Sequence, residues 1–238
     1  MCVIFFAHKV HPKYPLIALA NRDEFYDRPT AAAGRWLDHP QIFAGRDLLA
    51  GGTWLGVTDS GRFAAVTNYR EPDSSKGLLS RGDLVVDFLK GNGSPSEYVE
   101  QIKAKADEFS GFNLLAGIAG DELSYFSNRG AAAELLQPGI YGLSNHALNT
   151  AWPKVTRGLG VFESLISFEN ISKEDCFALL TDETIAADGD LPDTGVGIDR
   201  ERQLAPIFIR TPNYGTRSST VVLFDRDGRF DFEEKVFV

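Results

Sequence analysis

Short apolar runs dominate the first 70 positions of the chain. Residues 2–8, CVIFFAH, and 15–22, PLIALANR, are continuous runs without helical caps. Residues 42–70 then alternate apolar runs with turn residues, and Asp59-Ser60-Gly61 is typical of a hairpin turn. Short buried strands of this kind predict a sheet that is covered on both faces.

Helical signals replace strand signals in the middle of the chain. Residues 80–83, SRGD, resemble a capping box that opens the helix LVVDFLK, with Gly91 as its end. Residues 94–97, SPSE, form a stronger capping box with proline at the first helical position, and this helix is expected to end near Gly111. Two further helices are predicted over WPKVTRGLGVFESLIS and, after Ser172, over CFALL.

Strand signals return between and after these helices. FNLLAGIAG and LSYFSNR predict a hairpin, GIYGLSN a further strand, and PIFIRT, TRSSTVVLFD and RFDFEEKVFV three closing strands. Residues 182–204 form a long polar segment that is expected to be a functional or mobile loop. Because no linker or repeat divides the sequence, we expect one α+β domain over residues 1–238, with mostly antiparallel sheet and helices in layers.

Composition narrows the classes of function. A net charge of −9 argues against a nucleic-acid binder, which normally presents a basic face. The apolar runs are far shorter than the 18 or more residues that a membrane helix needs, and no basic segment precedes the first of them as in a signal peptide. Two cysteines, Cys2 and Cys176, make no disulfide framework. We therefore expect a cytoplasmic protein without an integral membrane segment.

Cys2 stands directly before the first strand, where it is either a small core residue or a nucleophile. If the initiator methionine is removed, as is common before a small residue, Cys2 carries both a thiol and a free α-amine. One residue then supplies nucleophile and base. The ordinary pKa values, about 8.5 for the thiol and about 7.7–8.0 for the amine, suit this role near neutrality.

The polar stretch Asn21-Arg22-Asp23-Glu24 follows the second apolar run, where a strand is expected to end and a loop to begin. Neighbouring side chains alternate between faces, so only some of the four can face one pocket. Arg22 could stabilise a thiolate or hold a substrate carboxylate, and Asp23 could orient the α-ammonium. The alternative is a loop with surface ion pairs, which contribute little.

The stretches MCVIFFAH, ALANRDEFYDRPT and GGTWLGVTDSGRFAAVTNYR, with GDLVVDFL, GFNLL and YGLSN, resemble the NRDE family, also called the transport-and-Golgi-organisation-two proteins. More distantly, the chain is similar to N-terminal-nucleophile hydrolases of the penicillin V acylase and bile salt hydrolase type. That similarity implies a four-layer αββα sandwich of mostly antiparallel sheets.

The hydrolase resemblance also implies a set of site residues, although the spacing between its arginine and aspartate differs from the hydrolase pattern here. Cys2 matches the nucleophile, and two asparagines match the groups that would hold an oxyanion. The implied catalytic residues are Cys2, Arg22, Asp23, Asn68, Asn145 and Arg217, and the neighbours expected to bind substrate are Asn21, Glu24, Trp54 and Tyr69.

Two functions of different classes follow, and the sequence leaves open whether the protein is an enzyme. In the first, Cys2 attacks a non-peptide amide C–N bond or a thioester through an acyl-enzyme, without a cofactor. In the second, which the family resemblance implies, the same pocket binds and carries haem or a lipid such as an acyl-CoA. Cys2, His8 or His11 would then ligate the iron. The His and Cys spacings predict no other metal site, and the expected partner is a small molecule.

Overall fold

The computed structural model describes residues 2–72, 77–130 and 133–238, which contain twelve strands and five α-helices. The strands are β1 (Cys2–His8), β2 (Leu16–Phe25), β3 (Thr30–Arg35), β4 (Ile42–Asp47), β5 (Leu55–Thr58), β6 (Arg62–Asn68), β7 (Phe112–Ile118), β8 (Leu123–Ser127), β9 (Glu134–Leu135), β10 (Gly139–Leu143), β11 (Tyr214–Phe224) and β12 (Phe230–Val236). The helices are α1 (Arg81–Lys90), α2 (Pro95–Lys103), α3 (Pro153–Ile166), α4 (Lys173–Leu180) and α5 (Ile198–Leu204).

The strands form two antiparallel sheets. One has the order β10-β1-β2-β11-β12 and the other runs β3 to β9 in chain order. Strands β1 and β2 therefore lie inside the first sheet with both of their edges paired. This arrangement matters for the site, because the Cys2 and NRDE segments occupy these two strands.

Three apolar cores separate four layers. The middle core, which includes Phe6 and Phe63, lies between the two sheets. A second core packs α1 and α2 on the seven-stranded sheet, and a third packs α3 and α4 on the five-stranded sheet, where Phe5 meets Phe162. Alternation along β1 sends Phe5 and Phe6 to opposite cores. The expected four-layer αββα architecture is confirmed.

Local capping and turn signals are also confirmed. The Ser94 hydroxyl accepts a hydrogen bond from the Glu97 backbone, and the Glu97 side chain accepts one from the Ser94 backbone. At α1 the Ser80 side chain accepts from the Gly82 backbone, a single N-cap bond instead of the expected capping box with Asp83, and Gly91 ends the helix as expected. The hairpins β5–β6 and β7–β8 form as expected.

Several boundaries differ from the sequence predictions. The α2 helix ends at Lys103 rather than near Gly111, and a separate 3₁₀ turn follows at Ala106–Glu108. The segment 182–204 contains a further 3₁₀ turn and helix α5. Within the described residues, PIFIRT forms no strand but only a bridge from Arg210 to Gly215. The Phe208 amide donates to the Asp182 carbonyl and the Ile209 amide to the Thr216 hydroxyl, so neither joins a strand ladder.

The NRDE stretch lies inside β2, not in a loop after it. Strand β2 continues to Phe25 because β1 and β11 flank it and satisfy its backbone groups. This pairing places Arg22 opposite Cys2 and Asp23 opposite Thr216. None of the helices in the described parts of the chain is long and apolar enough to cross a membrane.

Candidate active site

A cavity of about 440 Å³ opens where the two sheets diverge beside the start of β1. Six of the residues singled out from the sequence line it. The walls also include the loop after β4 and the beginning of α1. The lining residues used below are Cys2, Arg22, Asp23, Glu24, Asp47, Leu49, Trp54, Asn68, Leu78 and Arg81.

Cys2 presents its thiol to this cavity from a largely buried position, with 9% of the residue exposed. Burial raises the pKa of the thiol above its usual value, and the Asp23 charge raises it further. A hydrogen bond from the Asp23 backbone amide and the Arg22 charge both lower the thiol pKa. Burial makes the thiolate form of Cys2 less favourable, and the Asp23 amide and the Arg22 charge partly offset this effect.

Arg22 is held rigidly beside Cys2. Its guanidinium lies 4.0 Å from the centre of the Trp54 ring and donates to the Thr30 hydroxyl at 2.8 Å. A carboxylate oxygen of Asp47 lies 3.6 Å away. Stacking and hydrogen bonding together fix the orientation of the planar guanidinium, so its positive charge stays close to the thiol.

Asp23, the next residue along β2, is also buried. Its Oδ1 accepts a hydrogen bond of 2.7 Å from the Thr216 hydroxyl, and its backbone carbonyl accepts one of 3.2 Å from the Tyr214 hydroxyl. Burial raises the pKa of the Asp23 carboxyl, whereas the charge of Lys154 and the Thr216 hydrogen bond lower it. The fixed carboxylate is suited to orienting an amine at Cys2.

Two asparagines meet where β6 and β10 end. The Asn145 side-chain amide donates to the Asn68 carbonyl at 2.9 Å, and the Asn145 carbonyl accepts from the Arg70 backbone at 2.7 Å. The neighbouring Ser144 hydroxyl donates to the Cys2 carbonyl at 3.2 Å. These bonds tie the two sheets together next to Cys2 and bring the asparagines expected from the sequence into one place.

Four predicted site residues are absent from the cavity wall, namely Asn145, described above, and Asn21, Tyr69 and Arg217. The Asn21 amide donates to the carbonyls of Leu180 and Ile207, at 2.7 and 2.9 Å, so it points into the helical layer as alternation along β2 requires. The Tyr69 ring packs on His146, with the ring centres 4.9 Å apart. Neither residue lines this cavity, and their expected contact with a substrate stays a prediction.

Arg217 also departs from its expected place. The β2–β11 register shifts between Thr216 and Ser218, and a bulge of this kind redirects the intervening side chain. The Arg217 guanidinium donates to the Phe25, Arg28 and Val238 carbonyls. It holds two chain segments together behind Arg22 rather than lining the cavity.

The histidines considered as iron ligands lie far from Cys2. His8 is at the opposite end of β1, about 20 Å along the strand at the usual rise per residue. His11 uses both ring nitrogens, one toward the Phe168 carbonyl and the other toward the Lys13 and Tyr14 backbone amides. In residues 2–72, 77–130 and 133–238, no three His, Cys, Asp or Glu side chains gather as a metal site.

Two cations near Cys2 were not anticipated as site residues. Arg81 is the first residue of α1, lines the cavity and donates to the Gly111 carbonyl at 3.1 Å. Lys154, the second residue of α3, is 2% exposed, and its ammonium donates to the Leu204 carbonyl at 3.0 Å. A signal for Lys154 exists, because positions 154, 158, 162 and 166 form one buried stripe at helical spacing.

Helical layers around two antiparallel sheets, with a cysteine opening an inner strand, define the N-terminal-nucleophile-hydrolase fold. An N-acylethanolamine-hydrolysing acid amidase orthologue from Caenorhabditis elegans superposes with a TM-score of 0.56 at 14% identity, and covers 100% of both chains. Penicillin V acylase from Agrobacterium tumefaciens gives 0.55 at 13% identity, covering 98% of this chain and 82% of the acylase. At such identities the likeness concerns the fold alone.

Sequence comparison then gives the family. The profile described as Transport and Golgi organisation 2 matches residues 1–238. The Transport and Golgi organization protein 2 homolog of Bos taurus is 36% identical over 255 residues, covering 99% of this chain and 92% of the relative. The protein belongs to the Transport and Golgi organisation 2 family, and the family expected from the NRDE motif is confirmed.

Proposed function

We propose that the protein is a thiol hydrolase in which Cys2 attacks the carbonyl carbon of a non-peptide amide or of a thioester. The observation that carries this proposal is the environment of the Cys2 sulfur. It faces a cavity, accepts a hydrogen bond from the Asp23 amide and is flanked by the fixed guanidinium of Arg22. A core cysteine needs none of these features, whereas a nucleophilic thiolate benefits from each of them.

In the proposed reaction the α-amine of Cys2, free once Met1 is removed, takes the thiol proton. The sulfur then forms a bond to the substrate carbonyl carbon, and the carbonyl electron pair moves onto oxygen. When the tetrahedral intermediate collapses, the C–N bond breaks and the leaving amine takes the proton from the α-ammonium. Water then attacks the thioester, which releases a carboxylic acid and restores the thiol.

Asn68 and Asn145 are suited to stabilising the oxyanion of that intermediate. An asparagine amide carries two hydrogens, and Asn145 gives one of them to the Asn68 carbonyl. The second hydrogen is the proposed donor to the oxyanion. Because Asn145 is fully buried and held through both its side-chain amide and its backbone carbonyl, this donor would need little reorganisation during the reaction.

Intact-mass spectrometry of the purified full chain tests the proposal. We expect a mass lacking one methionine and, after exposure to octanoyl-p-nitroanilide or the octanoyl thioester of N-acetylcysteamine, a transient adduct of one octanoyl group. Peptide mapping should place that group on Cys2. Release of p-nitroaniline or free thiol gives the turnover rate.

Cys2→Ala and Cys176→Ala are the matched controls. Both remove one buried thiol, but Cys176 is part of α4, lies in the core between the helices and the five-stranded sheet, and does not line the cavity. We expect Cys2→Ala to abolish the adduct and Cys176→Ala to retain it. Retention of Met1, or turnover that survives Cys2→Ala, contradicts the proposal.

A second candidate function is non-catalytic binding of a lipid in the same cavity. Two lining residues at its mouth, Leu49 and Leu78, are 68% and 88% exposed, and they favour contact with an apolar chain. Titration with octanoyl-CoA and with haemin, followed by calorimetry and by the Soret band, tests this candidate. Saturable binding that leaves the ligand intact and survives Cys2→Ala favours carriage over hydrolysis, and haem binding that depends on Cys2 would identify the iron ligand.

A further inference from the structure

A polar side chain interrupts the apolar layer between the two sheets. Alternation along β7 turns Asn113 to the same face as Leu115, which belongs to the core between the sheets. Asn113 is fully buried there. Because a buried amide is costly unless its donors and its acceptor are used, the partners of Asn113 indicate what the residue does.

Asn113 uses both amide hydrogens and its oxygen. The oxygen accepts a hydrogen bond from the Tyr125 hydroxyl at 2.9 Å, and the amide donates to the Thr67 hydroxyl and to the His146 carbonyl, each at 3.0 Å. The Thr67 hydroxyl in turn donates to the Ser144 carbonyl at 2.7 Å. Thr67, Asn113 and Tyr125 lie on β6, β7 and β8, which are neighbours in the seven-stranded sheet, and we call them the inter-sheet polar cluster.

The inter-sheet polar cluster binds residues 144–148, which follow β10. The ladder between β10 and β1 ends two residues short of Cys2. Beyond that point the Ser144 and His146 carbonyls accept hydrogen bonds from the cluster, and the Leu148 amide donates to its tyrosine hydroxyl at 3.1 Å. The seven-stranded sheet therefore holds this segment at every second residue.

Side chains of the same segment reach toward the cavity. The Ser144 hydroxyl donates to the Cys2 carbonyl at 3.2 Å, and the Asn145 amide donates to the backbone carbonyl of Asn68, a residue of the cavity wall. The bonds from Asn113 and Thr67 end on the carbonyls immediately before and after the side chain of Asn145. They therefore fix the backbone that carries this side chain.

We infer that Asn113 and Thr67 are positioning residues that hold the Asn145 side chain in place as the proposed oxyanion donor. Both act through the backbone beside Asn145, and neither lines the cavity. This inference rests on the proposed function, because an oxyanion forms only when the thiol attacks a carbonyl carbon. Such a donor is effective only when it is already placed before the reaction, so a loosened segment should slow acylation while the thiol stays reactive.

Comparison of two reactions of Cys2 tests this inference. Octanoyl transfer from the octanoyl thioester of N-acetylcysteamine passes through an oxyanion. Iodoacetamide instead alkylates the sulfur at a saturated carbon, where the S–C bond forms as the C–I bond breaks, so this reaction needs no oxyanion donor. Intact-mass spectrometry of the full chain gives both rates, and peptide mapping assigns both products to Cys2.

Asn113→Ala removes the donor to the His146 carbonyl, and Thr67→Val removes only a hydroxyl from a side chain of the same shape. Each should slow acylation of Cys2 by about 10–10³-fold, where the upper value is that of losing an oxyanion donor outright. Alkylation should keep its wild-type rate, since Arg22 and Asp23 belong to the other sheet. Thr67→Ser retains the hydroxyl and should restore acylation.

Tyr98→Phe and Asn128→Ala are the controls for lost stability. The Tyr98 hydroxyl donates to the Leu84 carbonyl at 2.7 Å, the same length as the bond that Thr67→Val removes, but it lies on the outer side of the seven-stranded sheet. The Asn128 amide likewise donates to a backbone carbonyl, that of Ala106. Both variants should lower the urea midpoint and leave both reactions of Cys2 at their wild-type rates.

The two rates separate the possible results. If the wild type forms the octanoyl adduct but Thr67→Val and Asn113→Ala acylate normally, or lose acylation and alkylation equally, the inference is overturned and the hydrolase proposal stands. Equal slowing of acylation in Tyr98→Phe and Asn128→Ala overturns it as well. If the wild type forms no adduct, both proposals fall. Should Asn113→Ala not fold, the comparison of Thr67→Val with Thr67→Ser decides.

Discussion

At the scale of single residues, Asn145 joins stability to the proposed chemistry. Its side-chain amide donates a hydrogen bond to the Asn68 backbone carbonyl, and its own backbone carbonyl accepts one from the Arg70 backbone amide. Both bonds are made where the two sheets meet beside Cys2. One side chain therefore ties the two sheets together and, in the proposed reaction, would offer its second amide hydrogen to the oxyanion.

We expect Asn145→Ala to have two separable effects. The unfolding free energy should fall by about 1–3 kcal/mol, because the Asn68 carbonyl loses its donor in a buried environment. Acylation of Cys2 should slow by about 10²–10³-fold, the usual effect of removing one oxyanion donor. Urea unfolding and the rate of octanoyl adduct formation measure the two effects.

Asn128→Ala is the control for this prediction. Asn128 also bridges backbone groups, since its amide donates to the Ala106 carbonyl at 3.0 Å and its oxygen accepts from Phe112 at 2.8 Å. It should lower stability to a similar degree while the acylation rate stays near that of the wild type. Equal slowing in both variants would mean that Asn145 acts only through stability.

At the scale of elements, α3 packs unusually closely on β1. Gly158 lies against the Phe5 ring, where an added Cβ would come within 2.1 Å of the ring. Glycine thus permits the close approach of α3 to β1. Gly158 weakens the helix signal in the sequence, but its lack of a side chain is what allows α3 to pack closely on β1.

Gly158→Ala should destabilise the fold by about 1–3 kcal/mol, because the Phe5 ring or the whole helix must shift. Gly160, in the same helix, is exposed and an added Cβ meets nothing within 4 Å. Gly160→Ala should instead stabilise by about 0.5–1 kcal/mol through helix propensity. Chemical denaturation of the two variants measures both changes in unfolding free energy. If Gly158→Ala is also stabilised, the packing described here is contradicted.

At the scale of the whole molecule, stability should depend on pH through His8. The side chain is buried at the end of β1, and burial lowers its pKa to about 4, followed in size by the effect of the Lys9 charge. In the unfolded chain its pKa is about 6.5. The unfolded state therefore binds the proton first, and the unfolding free energy falls as the pH drops from about 6.5 toward 4.

His8→Leu should make the unfolding free energy less dependent on pH between about 6.5 and 4, whatever the stability of this variant at neutral pH. His39→Gln, in the loop before β4, should keep the wild-type slope. Urea unfolding midpoints measured from pH 4 to 7 compare the two variants with the wild type. A slope that is the same in His8→Leu and in the wild type would assign acid sensitivity to other groups.

The sequence by itself determined the local elements and the architecture. Capping at Ser94, the turn at Asp59-Ser60-Gly61 and the alternation in β1 are encoded within a few residues, so pattern alone identifies them. The four layers followed from the order of those elements together with the family resemblance. The prediction of a strand at PIFIRT was wrong, because apolar content does not distinguish a buried strand from a buried coil.

The tertiary structure alone decided which side chains meet at Cys2. Pairing of β2 with β1 and β11 carries the NRDE stretch into the sheet and turns Asn21 toward the helices, while Arg22 stays beside the thiol. A bulge removes Arg217 from the cavity, and distant segments bring in Arg81 and Lys154. Such contacts depend on strand register and on the packing of the layers. Both bring together residues that are far apart in the chain, so local sequence patterns do not predict them.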